Sequence, residues 1–265
     1  PGVYYYTAVY GNEGEVPAGP WLCFSAEEAG SKLWYESSGS NSVDLQYSFD
    51  GKVWTPLAEG VEVPLANEGD KVYVRGNNPT GFSHGALLGN THFQMSGRIA
   101  ASGNVMSLID AECKTKDIPI PCAHCFDSLF AGCAALTKAP ELPAYNLTDS
   151  CYANMFAHCT SLTGMPELYA IELAKGCYAS MFAGCESLTE VHDLWSTELK
   201  KYCYANMFQG CTALDSAPRM LTSAVAEGCY YGMFQGCTSL EKAPVLSSDY
   251  LEKDCYAYMF DGCSN

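Results

Sequence analysis

Cys151-Tyr152-Ala153-Asn154-Met155-Phe156-Ala157-His158-Cys159 decides the reading of this chain, because the chain writes it repeatedly. CYASMFAGC follows at 177–185, CYANMFQGC at 203–211, CYYGMFQGC at 229–237 and CYAYMFDGC at 255–263. The opening cysteines run from Cys125 to Cys255 at intervals of 26 residues, and each closing cysteine, Cys133 to Cys263, lies eight residues after its opener. A fixed period of this size means stacked supersecondary units whose core exists only between neighbours. On a wheel of about 100° per residue, Cys151, Met155, Cys159, Tyr152 and Phe156 share one arc and Asn154 and His158 lie opposite. The spacing predicts a short amphipathic helix. Glycine precedes the closing cysteine at Gly132, Gly184, Gly210, Gly236 and Gly262, as a left-handed C-cap requires, and His158 breaks that column.

Apolar columns continue through the rest of each unit. Leu136, Leu162, Leu188, Leu214 and Leu240 form one; Leu142, Leu168, Leu194, Met220 and Leu246 form another. Between them stand Pro140, Pro166, Pro218 and Pro244. Proline cannot donate to a ladder, so a strand there must be short. A short strand plus a short helix per unit predicts a right-handed solenoid over 107–265. It has a cap at 107–124 and six 26-residue units from 125, the last incomplete. The tyrosine column from Tyr152 to Tyr256 reads first as packing between successive helices and second as an exposed rail.

Residues 1–106 lack this period and read as β structure. Candidate strands are 3–10, 21–24, 31–35, 44–49, 53–54, 60–65, 71–75 and 92–99. Asp50-Gly51 between two of them is a hairpin signal, because glycine supplies the positive φ of a tight turn. Short strands with frequent turns predict a sandwich-like all-β domain over 1–106, which makes the whole chain α+β. Trp21, Trp34 and Trp54 read as core residues rather than sugar platforms.

Charge and cysteine content bound the function. The chain carries 14 Lys and Arg against 30 Asp and Glu, a net charge of −16. Both halves are acidic, which argues against nucleic acid and anionic membrane as partners. No run of about 20 apolar residues spans a membrane, so attachment would need an anchor outside this chain. Of 15 cysteines, 12 sit on the repeat lattice. Pairs eight residues apart on a helix are about 12 Å apart, too far for a disulfide, so the lattice cysteines read as buried free thiols. Cys113 and Cys122 lie off the lattice and are the disulfide candidates.

The pattern C-Y-A-x-M-F-x-G-C-x-S-L-x-x-A-P-x-L resembles the BspA-like leucine-rich repeats of bacterial surface proteins, above all the cysteine-containing version of gut Bacteroides. The resemblance covers the six units from Cys125. It extends to the Ser96–Leu108 junction and the Tyr47–Gly51 hairpin. It implies an exported protein, at the cell surface or extracellular, that binds host or matrix protein. A glycan is the second class of partner. It supplies no catalytic residue, metal or cofactor.

Cys122-Ala123-His124-Cys125 is a CxxC, but Cys125 also fills a lattice position, and no βαβ unit surrounds it. A redox or zinc site around Cys113–Cys125 is therefore the minor reading, and a structural spacer is the other alternative to binding. No phosphate loop, catalytic triad or carboxylate pair stands out, so the chain reads as a non-enzyme. Binding residues are sought where the repeat varies. Two residues past each leucine stand Lys138, Gly164, Glu190, Ser216 and Lys242. Five past it stand Glu141, Glu167, Asp193, Arg219 and Val245. The charged members, Lys138, Glu141, Glu167, Glu190, Asp193, Arg219 and Lys242, are the candidate binding residues, expected to face outward on the strand side.

Overall fold

The structure is a computed structural model and describes residues 21–85, 89–112, 119–246 and 248–264. The expected strand at 3–10 and Cys113 lie outside the described residues. The strands are β1 (Leu22–Ala26), β2 (Ser31–Ser37), β3 (Leu45–Ser48), β4 (Thr55–Pro56), β5 (Val63–Leu65), β6 (Lys71–Gly76), β7 (Thr91–Ser96), β8 (Ile99–Ser102) and β9 (Leu136–Lys138). They form two sheets, ordered β4-β3-β6-β1-β8-β9 and β5-β2-β7. Every pairing is antiparallel except β8 with β9. Two such sheets are compatible with the sandwich expected for the first part of the chain. The run expected at 92–99 is split, because Gly97 turns at φ 74° and β8 leaves β7's sheet to join the other.

The solenoid of short strands and short helices is not formed. Among the described residues there is no α-helix, and after β9 the strand pairing shrinks to isolated bridges such as Leu142–Leu168, Gly164–Glu190 and Leu194–Met220. The segment expected to be helical is instead a run of four-residue turns. Ser150, Asn154 and His158 have φ of 53°, 54° and 61°. The equivalent triplets Gly176, Ser180, Gly184 and Tyr202, Asn206, Gly210 are also at positive φ. A left-handed residue at every fourth position ends right-handed helix propagation.

The hydrogen bonds follow this four-residue rhythm. Even-numbered N–H groups leave the unit: Tyr152 donates to the Cys177 carbonyl at 3.0 Å, Asn154 to Ala179 at 2.9 Å and Phe156 to Met181 at 2.9 Å. Odd-numbered N–H groups close turns: Ala153 donates to Ser150 at 3.1 Å, Ala157 to Asn154 at 3.0 Å and Cys159 to Phe156 at 3.1 Å. An α-helix would instead bond each N–H four residues back within its own segment.

Four residues per turn is about 90° per residue against about 100° in an α-helix. Over nine residues the two patterns put the same side chains on one face, which is why the wheel misleads. Cys151, Met155 and Cys159 share one edge of the turn run; Tyr152 and Phe156 share the next. All five are buried.

Successive layers then stack ring on ring. Tyr152, Tyr178, Tyr204, Tyr230 and Tyr256 lie 5.6–6.0 Å apart and within 9° of parallel. Phe130, Phe156, Phe182, Phe208, Phe234 and Phe260 stack at 5.4–5.8 Å. Tyr152, Tyr178, Tyr204 and Tyr230 are buried, so this column is core and not a rail. The β region supplies the layer before the first unit. Phe93 of β7 stacks on Phe130, its N–H donates to Leu129, and Phe82 stacks on Phe126. Residues from Leu22 to Met259 therefore share one apolar cluster.

Candidate functional site

The isolated bridges define an outward face. At each bridge the chain alternates out, in, out, as an extended backbone does. Glu167, Leu168 and Tyr169 form one such triplet, Asp193, Leu194 and Trp195 the next, and Arg219, Met220 and Leu221 the third. Leu194 and Met220 are buried and Leu168 partly so, while Glu167, Arg219, Tyr169, Trp195 and Leu221 are exposed. The charged column read from the sequence thus runs beside an apolar one, two residues further on. Tyr145 and Ile171 begin a second exposed column two residues further on, which continues in Thr197 and Ser223. Tyr145, Tyr169, Ile171, Trp195 and Leu221 each expose 45–57% of their surface, and the Tyr145 and Tyr169 rings lie 6.0 Å apart.

The seven expected binding residues are distributed along this face. Asp193 and Arg219 pair directly, with Arg219 Nε 3.0 Å from Asp193 Oδ2. The hydrogen bond from Arg219 holds the Asp193 carboxyl below the usual carboxylate range, and the same bond raises the guanidinium. Glu167 lies 3.6 Å from His192 Nδ1 on the next layer. Lys138 and Glu190 line one shallow cleft of about 200 Å³, floored by Thr163, Gly164, Met165 and Pro166. Glu190 bridges Gly164, and Lys242 bridges Ser216 further along. Glu141 is exposed and bridges Asn104, beyond the end of β8. The structure brings Asp193 with Arg219 and Lys138 with Glu190, and leaves Glu141 and Lys242 at separate layers.

Trp195 and Tyr169 are the residues that sequence reading missed. Their signal was available, because stepping two residues from the charged column reaches Pro143, Tyr169, Trp195 and Leu221. The three other tryptophans are half-buried. Trp21 meets Trp54 edge-on at 4.9 Å and donates its Nε1–H to the Ala111 carbonyl at 2.8 Å, while Arg75 lies 3.9 Å over the Trp54 ring.

A cavity of about 320 Å³ is bordered by Asp44, Gln46, Asn77, Asp110 and Glu112. No group of three metal-ligating side chains stands together among the described residues, and no described helix is long and apolar enough to cross a membrane. No family model, curated protein or solved structure matches this chain.

Proposed function

We propose that this chain is a non-catalytic bacterial protein of the cell surface or exterior, binding a protein partner through the outward face at Glu167–Tyr169, Asp193–Trp195 and Arg219–Leu221. The observation that carries the reading is the exposed apolar row of Tyr145, Tyr169, Ile171, Trp195 and Leu221 on neighbouring layers. Aromatic side chains held rigid by a stacked backbone are the anchors that dominate protein interfaces, and contiguous exposed apolar patches mark interaction surfaces. Export is supported by the resemblance of the repeat words to those of bacterial surface proteins.

Charge narrows the partner. The row is flanked by Glu141, Glu167, Glu172 and Glu198, all exposed, within a chain of net charge −16. A partner with a basic rim around an apolar centre complements it and associates faster at low salt. A spacer would have no use for exposed tryptophan and tyrosine, so the same row favours binding over the spacer reading.

The test is a binding panel of purified extracellular-matrix proteins and neutral glycans against the full chain and its Tyr169→Ala/Trp195→Ala double variant. The proposal expects a saturable protein partner whose affinity falls at least about tenfold in the variant, a loss of about 1.4 kcal/mol. Equal binding by the variant moves the site elsewhere. Binding of glycans alone overturns the partner class, and binding of nothing restores the spacer.

A further inference from the structure

Cys122 departs from the repeat. The equivalent position in later units is Thr148, Ala174, Lys200, Ala226 and Glu252. Its thiol is free and partly buried, 3.6 Å from His84 Nδ1 and 3.4 Å from the Ser83 carbonyl, to which the S–H donates. Cys125, one turn on, hydrogen-bonds to the same sulfur. The fit is close on the opposite side. A Cβ at Gly81 would fall on Cys122 Sγ, and one at Gly85 would come 2.9 Å from the His124 ring.

Four groups face the Cys122 sulfur: the Ser83 carbonyl, His84, His124 and the Cys125 thiol. Behind them Asp127 orients His124, its Oδ2 2.8 Å from Nδ1, while Asp127 Oδ1 accepts from Ser128 at 2.8 Å and from Asn154 at 3.2 Å. The Cys125 hydrogen bond, aided by the two imidazoles and opposed by burial, holds the Cys122 thiol below its ordinary value. Burial pushes Cys125 strongly upward. Cys122 is thus the more acidic thiol of the two and Cys125 the less acidic, the division expected between an attacking and a resolving cysteine.

We propose that Cys122 is a nucleophilic thiol that exchanges with low-molecular-weight disulfides, with Cys125 as its resolving partner. The Cys122 thiolate attacks one sulfur of the disulfide, the S–S bond breaks, and one thiolate leaves. Cys125 then attacks the Cys122 sulfur of the mixed disulfide. It gives its proton to the second departing thiolate. Two protein thiols are oxidised to a disulfide while the small disulfide is reduced to two thiols. This chemistry is independent of the binding face, which lies on other layers.

The full chain treated with oxidised glutathione at pH 7 and mapped by mass spectrometry tests the idea. The expected product links Cys122 to Cys125, Cys125→Ala instead retains glutathione on Cys122, and Cys122→Ser does neither. Iodoacetamide labelling of Cys122 should show a midpoint below that of an ordinary thiol, and His84→Asn should move it up. Cys122→Ser alters a partly exposed side chain, so the wild-type comparison holds even where Cys125→Ala fails to fold. Glutathione on other cysteines, no linked product, or a labelling midpoint indifferent to His84→Asn overturns the proposal.

Discussion

The Cys159 thiol donates to the Phe130 carbonyl one layer earlier, at 3.1 Å. The bond recurs from Cys185 to Phe156 at 3.1 Å, Cys211 to Phe182 at 3.2 Å and Cys237 to Phe208 at 3.0 Å. Each of these phenylalanine carbonyls also accepts an N–H from the cysteine three residues later in its own layer. The closing cysteine is thus a small apolar residue with a donor where a second lone pair needs one. Cys185→Ala should cost about 1–2 kcal/mol of stability, from a small cavity and a lost weak donor. Urea unfolding checks it, and an unchanged midpoint would contradict the role.

Alkaline pH should dissolve the stack. Burial pushes Cys133, Cys151, Cys185, Cys203 and Cys237 up to about 12. A thiol raised in the folded state binds its proton there while the unfolded chain has already released it. Its contribution is therefore complete below the ordinary thiol value and is lost as pH rises from about 9 toward 12, at up to about 1.4 kcal/mol per pH unit per thiol. Circular dichroism should report one cooperative loss of structure in that window.

Left-handed positions should tolerate glycine and reject β-branched residues. Asn206 sits at φ 54°. Asn206→Gly should change stability by less than about 1 kcal/mol, and Asn206→Val should cost about 1–3 kcal/mol through backbone strain. Thermal unfolding of the two variants decides this. Equal losses would mean that the side chain rather than the backbone matters.

Two tyrosines of one column should respond in opposite directions when the hydroxyl is removed. The Tyr152 hydroxyl is buried without a hydrogen-bond partner among the described residues, whereas Tyr204 Oη lies 2.8 Å from Ser196 Oγ. Tyr152→Phe should stabilise by about 1 kcal/mol, because an unsatisfied buried hydroxyl is removed. Tyr204→Phe should destabilise by about 0.5–1.5 kcal/mol. Denaturant midpoints measured side by side test the contrast.

The 26-residue layering was legible in the sequence, but the α+β class and the strand-and-helix solenoid were wrong, because the described chain holds strands and turns and no α-helix. The lattice of cysteines gave the layers, and the glycine column at Gly132, Gly184, Gly210, Gly236 and Gly262 does adopt positive φ, as the capping argument expected. His158 adopts it too, at 61°. The helix was the error. Nine residues are too few to separate a period of four from 3.6, although the column Ser128, Asn154, Ser180, Asn206 and Gly232 held the clue, since Asn and Gly accept left-handed backbone more readily than other residues. The apolar row at Tyr169 and Trp195 was overlooked for a different reason. Charge varies along this face, and the alternation of the extended backbone carries exposed rings on it as well. Nothing in the order of residues brings His84 to Cys122, because that contact depends on the β region covering the first layer.

The ion pair on the face should be energetically light. Arg219 and Asp193 are joined across one repeat at the surface, where such pairs contribute about 0–1 kcal/mol. Arg219→Ala should leave the melting temperature nearly unchanged while altering the salt dependence of partner association. Stopped-flow association rates at two ionic strengths would show it.

Hydrogen exchange on the full chain with and without its protein partner tests the central claim most directly. The account predicts slowed exchange at residues 167–171, 193–197 and 219–223 on partner binding, with β1, β2 and the turn runs unaffected. Protection confined to the sheets of the first half, or to the turn corners at Asn154 and Asn206, would contradict it.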